Sequence, residues 1–151
     1  MPRRPSPEKE REYAELAAFL DLWSTHVNKI DPGNPAHPTN VGREILAQYG
    51  FSKALEGMRQ AINDTLADLP DLPPESIREL DAILRSGGVL TITELRRRCS
   101  NRYRTILKRG TLRNETDYHL VKNIRDDVDS PIDAAERDHL GAMLLAFEQR
   151  A

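Results

Sequence analysis

The side chains best suited to chemistry in this sequence are the basic ones of residues 95–113, which read LRRRCSNRYRTILKRGTLR. This segment holds eight arginines and lysines and no acidic residue, and seven of the eight are arginine. The planar guanidinium group of arginine makes paired hydrogen bonds to carboxylate and phosphate groups, so the segment predicts recognition of an anion. We call these eight side chains the basic set: Arg96, Arg97, Arg98, Arg102, Arg104, Lys108, Arg109 and Arg113.

The basic set lies between two acidic stretches of the chain. Residues 1–94 carry 10 basic and 15 acidic side chains, residues 114–151 carry 4 and 9, and the whole chain has a net charge of −2. A concentrated positive surface attracts anionic partners and speeds their encounter. The alternative is that carboxylates of the acidic flanks fold back on the arginines and neutralise them.

The sequence predicts no catalysis, no cofactor, no metal site and no small-molecule substrate. It lacks a Gly-rich phosphate loop, a nucleophile elbow and histidines at zinc-ligand spacing. An acidic cluster lacks the central glycine and the closing glutamate of a calcium-binding loop, and a helix C-terminus followed by a solvated turn explains it better. Acids are locally unfavourable at a helix C-terminus, and their position would make sense if they faced the arginines. That cluster consists of Asp126, Asp127, Asp129 and Asp133.

Cys99 is the only cysteine, and two interpretations of it are open. Its basic neighbours favour a reactive thiolate, whereas its position on an apolar helical seam favours a buried and inert thiol. We prefer the inert interpretation. One cysteine excludes an internal disulfide, and no apolar run is long enough to span a bilayer. Both observations favour a cytoplasmic location without membrane contact.

Apolar residues that recur every three or four positions predict an all-α fold of about seven amphipathic helices, with Trp23 in the core. Residues 31–40 predict an extended surface connector carrying His37, in preference to a peptide-docking segment. We expect helical hairpins in one small orthogonal or bundle-like domain over 7–151, after a flexible tail at 1–6. The predicted helices cover residues 7–30, 41–49, 52–69, 74–86, 92–109, 115–128 and 133–147.

The basic set falls on a helix that is predicted to run unbroken from Ile92 to Arg109. Cutting this helix at Ser100 would give a helix-turn-helix, but an apolar seam continues across that position and favours a single helix. The cations lie between the seam positions, mostly on the other faces. The seam consists of Ile92, Leu95, Cys99, Tyr103 and Ile106.

Three functions are consistent with this helix. It is a solvated face paired with the chain's own acids, a nucleic-acid-binding helix on which Tyr103 stacks against bases, or a binding surface for an acidic protein. The isoelectric point near 6.1 weighs against nucleic acid. We therefore favour an acidic protein partner, in an adaptor, inhibitor or immunity-like role, with nucleic acid as the alternative. The predicted partner-binding site is the basic set together with Tyr103.

Overall fold

The structure is a computed structural model, and it describes residues 4–69, 72–127 and 131–150. Within those residues it contains helices and no strand, which confirms the predicted all-α class. Eight α-helices are found there in place of about seven, and a π-helical turn, Trp23–Val27, follows the first. The helices are α1 (Pro7–Leu22), α2 (Pro38–Tyr49), α3 (Phe51–Ala67), α4 (Pro74–Ser86), α5 (Ile92–Cys99), α6 (Asn101–Arg109), α7 (Glu115–Asp126) and α8 (Ala134–Arg150).

The chain divides into two compact units. Unit 1 comprises Met1–Ala67 with Ala82–Leu90, and unit 2 comprises Asp68–Asp81 with Thr91–Ala151. The single domain over 7–151 and its hairpin arrangement stay predictions. The predicted helix end at Pro70, the predicted break at Asp129 and most of the tail lie outside the described residues.

Unit 1 is built on the packing of α1, α2 and α3 against one another. Ser6 starts α1 by accepting a hydrogen bond from the Lys9 amide, as its position before a proline predicts. Trp23 is buried and stacks on Phe19 with ring centroids 5.5 Å apart, which confirms its place in the core. The predicted helix over 7–30 is corrected: the α-helix ends at Leu22, and the π turn completes it.

The proline-rich connector departs from its predicted form. Its residues form turns rather than an extended path, and α2 begins at Pro38, three residues earlier than predicted. His37 is fully buried, which corrects the surface position expected for it. Its Nδ1 atom accepts from the Thr39 amide at 3.1 Å, while its Nε2 atom lies 2.9 Å from Thr25 Oγ1. Because Nδ1 is an acceptor, the neutral ring carries its proton on Nε2, and this N–H donates a hydrogen bond to the Thr25 hydroxyl.

Replacing His37 with alanine is expected to lower the free energy of unfolding by about 2–3 kcal/mol, because the change removes a helix cap and leaves a cavity. Urea denaturation followed by far-ultraviolet circular dichroism measures the difference. His26→Ala is the matched control, since His26 is exposed on the preceding π turn. Equal effects of the two substitutions would show that the buried cap does not stabilise unit 1.

Unit 2 contains the basic set and has its own apolar core. In this unit α7 packs against α5, α6 and α8. The core around α6, α7 and α8 consists of Tyr103, Ile106, Leu112, Leu120, Val121, Ile124, Leu140, Met143 and Leu144. The apolar spacing predicts the core positions of Val121 and Ile124 on α7 and of Leu140, Met143 and Leu144 on α8, but it does not predict Leu120.

Helix α4 is where the apolar pattern is least reliable. Its spacing predicts a stripe of Ile77, Leu80, Ile83 and Leu84, and Ile77 and Leu84 are indeed buried. Ile83 is instead 54% exposed, which corrects its assignment to the stripe. A stripe of adjacent apolar residues covers more of the helix surface than one packed neighbour buries.

Candidate functional site

The basic segment forms two helices rather than one. α5 ends at Cys99, and α6 begins at Asn101. Ser100 between them is extended, with φ −71° and ψ 120°, and its Oγ atom accepts from the Tyr103 amide at 3.2 Å. Serine favours such a cap because its hydroxyl satisfies an amide that has no partner in the first turn. The prediction of one unbroken helix is therefore wrong, and the break falls where the alternative helix-turn-helix would place it.

α5 is fixed at its start by a carboxylate from α4. Asp81 accepts from the Ile92 amide at 2.8 Å and from the hydroxyl of Thr93. Burial raises the pKa of Asp81, and the hydrogen bonds from Thr93 and Ile92 only partly offset that effect. Thr91 caps the same helix, as the sequence predicts, by accepting from the Glu94 amide. The N-terminus of α5 is thus held by two acceptors, and the sequence indicates only one of them.

Glu94 is the carboxylate that holds the arginines of α5. Its Oε1 atom lies 2.7 Å from Arg97 Nη2 and 2.8 Å from Arg98 Nε. Burial alone would raise the pKa of Glu94, but the hydrogen bonds and charges of the two arginines outweigh burial and lower it. We call these three residues the Glu94 cluster. The sequence Thr91-Ile-Thr-Glu94 matches a capping box and predicts a bond from Glu94 back to the Thr91 amide. The Glu94 carboxylate forms these ion pairs instead.

Asp117 does the same for the arginines of α6. Its two oxygens lie 2.8 Å from Arg102 Nε and 2.9 Å from Arg109 Nη2, and we call these three residues the Asp117 cluster. The Arg113 amide also donates to Asp117, at 3.0 Å. Asp117 is 3% exposed, and burial would raise its pKa, but this amide and Arg102 outweigh burial and lower it. The sequence predicts Asn114 and Asp117 as a helix cap, and Asn114 is confirmed as the residue that caps α7.

The remaining members of the predicted site have different surroundings. Arg96 is half-buried and donates to the Leu69 carbonyl at 3.0 Å, and burial lowers its pKa. Arg104 donates across the break to the Arg98 carbonyl. Tyr103 is buried, and its hydroxyl donates a hydrogen bond to Glu136 at 2.7 Å. Burial is the larger cause and this hydrogen bond the smaller one that together raise the pKa of Tyr103. The ring of Tyr103 is therefore not available to stack on a base, which corrects that part of the prediction.

Among the described residues, ion pairing neutralises the arginines of the Asp117 cluster only in part. Two guanidinium groups there share one carboxylate. One net positive charge therefore stays in the Asp117 cluster, where the Arg102 side chain is 42% exposed. Of the acidic cluster, Asp126 pairs with Arg125, which is not a member of the basic set, and Asp133 caps α8. Asp129 lies outside the described residues.

The exposed side of α6 is what these contacts present to solvent. Tyr103 and Ile106 are buried and Leu107 partly so, which leaves the opposite side of the helix exposed. Each of the exposed side chains carries a hydrogen-bond donor, and none of them is acidic or apolar. We call this surface the donor face, and its exposed residues are Asn101, Arg102, Arg104, Thr105 and Lys108. The sequence prediction did not include Asn101 and Thr105, because it selected cationic side chains and one aromatic ring.

The other site types find little support in the part of the chain that the structure describes. That part holds no group of three or more histidine, cysteine, aspartate or glutamate side chains arranged to bind a metal ion. None of its helices has the length and apolarity needed to cross a membrane.

Comparison of the chain with known protein families, characterised proteins and solved structures finds no match. Function is therefore inferred from the donor face and the two arginine clusters.

Proposed function

We propose that the protein is a non-catalytic nucleic-acid-binding protein that contacts phosphate groups through the donor face of α6. The observation that supports this function is the uniform chemistry of that surface, on which all five exposed side chains carry donors. Phosphate oxygens only accept hydrogen bonds and carry negative charge. Most protein contacts to a nucleic-acid backbone come from arginine, lysine, threonine and asparagine side chains of this kind.

The absence of apolar side chains on the donor face separates this proposal from an acidic protein partner. Protein interfaces depend on a few buried aromatic or apolar anchors that are surrounded by polar residues. The exposed side of α6 offers no such anchor, whereas a phosphate backbone requires none. An acidic protein partner, favoured from the sequence because the whole chain carries a net negative charge, becomes the alternative outcome of the experiment.

The low isoelectric point, the main objection from the sequence, concerns the whole chain rather than this surface. Helix α6 carries four basic side chains and no acidic one. The negative balance comes from acids elsewhere, and phosphate contacts act over about one Debye length, roughly 8–10 Å at physiological salt. Local charge therefore decides whether phosphate binds, and the local charge of α6 is positive.

We expect the full chain to bind mixed-sequence oligonucleotides with an affinity that falls steeply with salt. Each neutralised phosphate contributes about −0.9 to the slope of log affinity against log salt on duplex DNA. Four cations of residues 101–113 are exposed, Arg102, Arg104, Lys108 and Arg113, so the expected slope is about −3 to −4. Fluorescence polarisation between about 50 and 200 mM salt measures it.

Poly-L-glutamate of matched chain charge is the comparison ligand for the same titration. Tight binding to the oligonucleotide with weak binding to polyglutamate supports phosphate recognition. If polyglutamate binds as tightly as the oligonucleotide, or if only polyglutamate binds, the acidic-protein alternative replaces this proposal. Absence of binding to every oligonucleotide at the lowest salt overturns it.

A further inference from the structure

Two neutral polar side chains lie in the middle of the donor face. Asn101 and Thr105 are four residues apart on α6, so they are neighbours on the helix surface. Both are exposed, and neither the Asn101 amide nor the Thr105 hydroxyl has a hydrogen-bond partner within the described residues. By contrast, the hydroxyl of Thr65 on α3 donates to the Ala61 carbonyl at 2.8 Å. The hydrogen-bonding capacity of Asn101 and Thr105 is therefore open to a ligand.

Cations flank this neutral pair on both sides. At 3.6 residues per turn, Arg104 and Lys108 lie to one side of Asn101 and Thr105, and Arg102 and Arg109 lie to the other. Asp117 fixes the second cationic row by holding both of its guanidinium groups. The exposed side of α6 thus has three rows, with a neutral row between two positive ones.

We propose that α6 lies in the major groove of duplex DNA, with Asn101 and Thr105 against the base edges. This inference rests on the proposed function and adds the form of nucleic acid and the residues that read it. The major groove is about 12 Å wide, admits an α-helix, and has a phosphate backbone on each wall. The helix carries one row of cations on each side, and these two rows match the two walls. The major groove of duplex RNA is too deep and narrow for such an approach.

The chemistry of the neutral row points to A·T pairs. An asparagine amide makes two hydrogen bonds to the N6 and N7 atoms of adenine, and a threonine methyl group contacts the methyl group of thymine. Asn101 is the first residue of α6, and in groove-reading helices the N-terminal residues reach the base edges. The cations of the flanking rows fix orientation and carry no sequence information themselves.

Selection of the full chain on a randomised duplex library tests this inference. We expect enrichment of a short A·T-containing site. Asn101→Ala is expected to reduce the ratio of affinities for the enriched and scrambled duplexes by roughly 5- to 150-fold, the value of one two-bonded base contact. Lys108→Ala is expected to lower the affinity for both duplexes by a similar factor and to reduce the magnitude of the salt slope by about 1. Asn63→Ala removes an exposed amide from α3 and is the matched control.

The outcomes separate this inference from the proposed function. Binding without enrichment overturns the inference and keeps phosphate recognition. The inference is also overturned, and phosphate recognition kept, if single strands or duplex RNA bind more tightly than duplex DNA. The same conclusion follows if Asn101→Ala and Asn63→Ala show equal ratios of affinity for the enriched and scrambled duplexes. Failure to bind any oligonucleotide overturns both proposals. Circular dichroism is expected to stay unchanged in all three variants, because each substituted side chain is exposed.

Discussion

Replacing Asp117 with alanine is expected to lower the free energy of unfolding by about 2–4 kcal/mol, the largest effect of any single polar substitution proposed for unit 2. Asp117 is almost fully buried and accepts from Arg102, Arg109 and the Arg113 amide at 2.8–3.0 Å. Its loss leaves an amide without a partner and two guanidinium groups without a counter-charge. The exposure of Arg102 to water moderates the cost and keeps it below that of a fully buried ion pair.

Urea denaturation at neutral pH measures this difference, with Asp138→Ala as the matched control because Asp138 is exposed on α8. Asp117→Asn keeps the size of the side chain and one carbonyl acceptor, so its effect should lie between those of the other two variants. If Asp117→Ala is no more destabilising than Asp138→Ala, the Asp117 cluster does not stabilise unit 2.

Acidification gives the Asp117 variants an independent signature. The pKa of Asp117 is lower in the folded chain than its ordinary value of 3.8. Its ionised form therefore favours folding at neutral pH, and this contribution is lost as the pH falls below 3.8 and through the folded pKa. The stability difference between the wild type and Asp117→Ala should be constant near neutral pH. It should shrink as the pH falls below 3.8.

Local sequence signals located several helix ends correctly, although α2 is capped by His37 and not by Asn40, the cap that the sequence predicts. Ser6, Thr91 and Asn114 each cap the helix that the sequence assigns to them, and Gly110 ends α6 with a left-handed φ of 77°. A cap or a C-terminal glycine acts within three or four residues, so its effect is contained in the sequence around it. The π turn and the turns that bury His37 depend on packing, and no local signal reveals them.

The break at Ser100 shows why an apolar seam alone does not establish a continuous helix. Tyr103 and Ile106 keep the spacing of a seam that begins at Ile92, and both are buried. A single extended residue redirects the chain without removing the next apolar side chains from the core. The hydroxyl of Ser100 was the signal for the break, since serine competes with the helix for backbone amides.

The sequence indicates where the candidate site lies, but it does not show which of its side chains are exposed and which are paired. Eight clustered cations mark the region, yet which of them face water depends on partners far along the chain. Arg102 and Asp117 are 15 residues apart, and Arg96 and Leu69 are 27 apart. Such pairs follow from tertiary packing, which the sequence does not specify at the level of single side chains. The neutral pair of Asn101 and Thr105 becomes visible only once the orientation of α6 is known.

Reversing the charges of Arg104 and Lys108 together is expected to weaken oligonucleotide binding by at least about 100-fold near 50 mM salt and to reduce the magnitude of the salt slope by about 2. Both side chains are exposed on one cationic row of the donor face, and neither pairs with a carboxylate among the described residues. Two phosphate contacts therefore become two repulsions, while the core contacts of α6 stay intact.

The double variant Arg11→Glu with Arg43→Glu is the control for this charge reversal, because it changes the net charge equally at exposed positions of α1 and α2. Polarisation titrations of both variants across the same salt range give the comparison. A large loss confined to the α6 variant identifies the donor face as the binding surface. Equal losses would mean that total charge governs binding, and α6 would then have no special part in it. The distinction is decisive because the chain as a whole is acidic, so binding through a basic helix requires that local charge outweigh net charge.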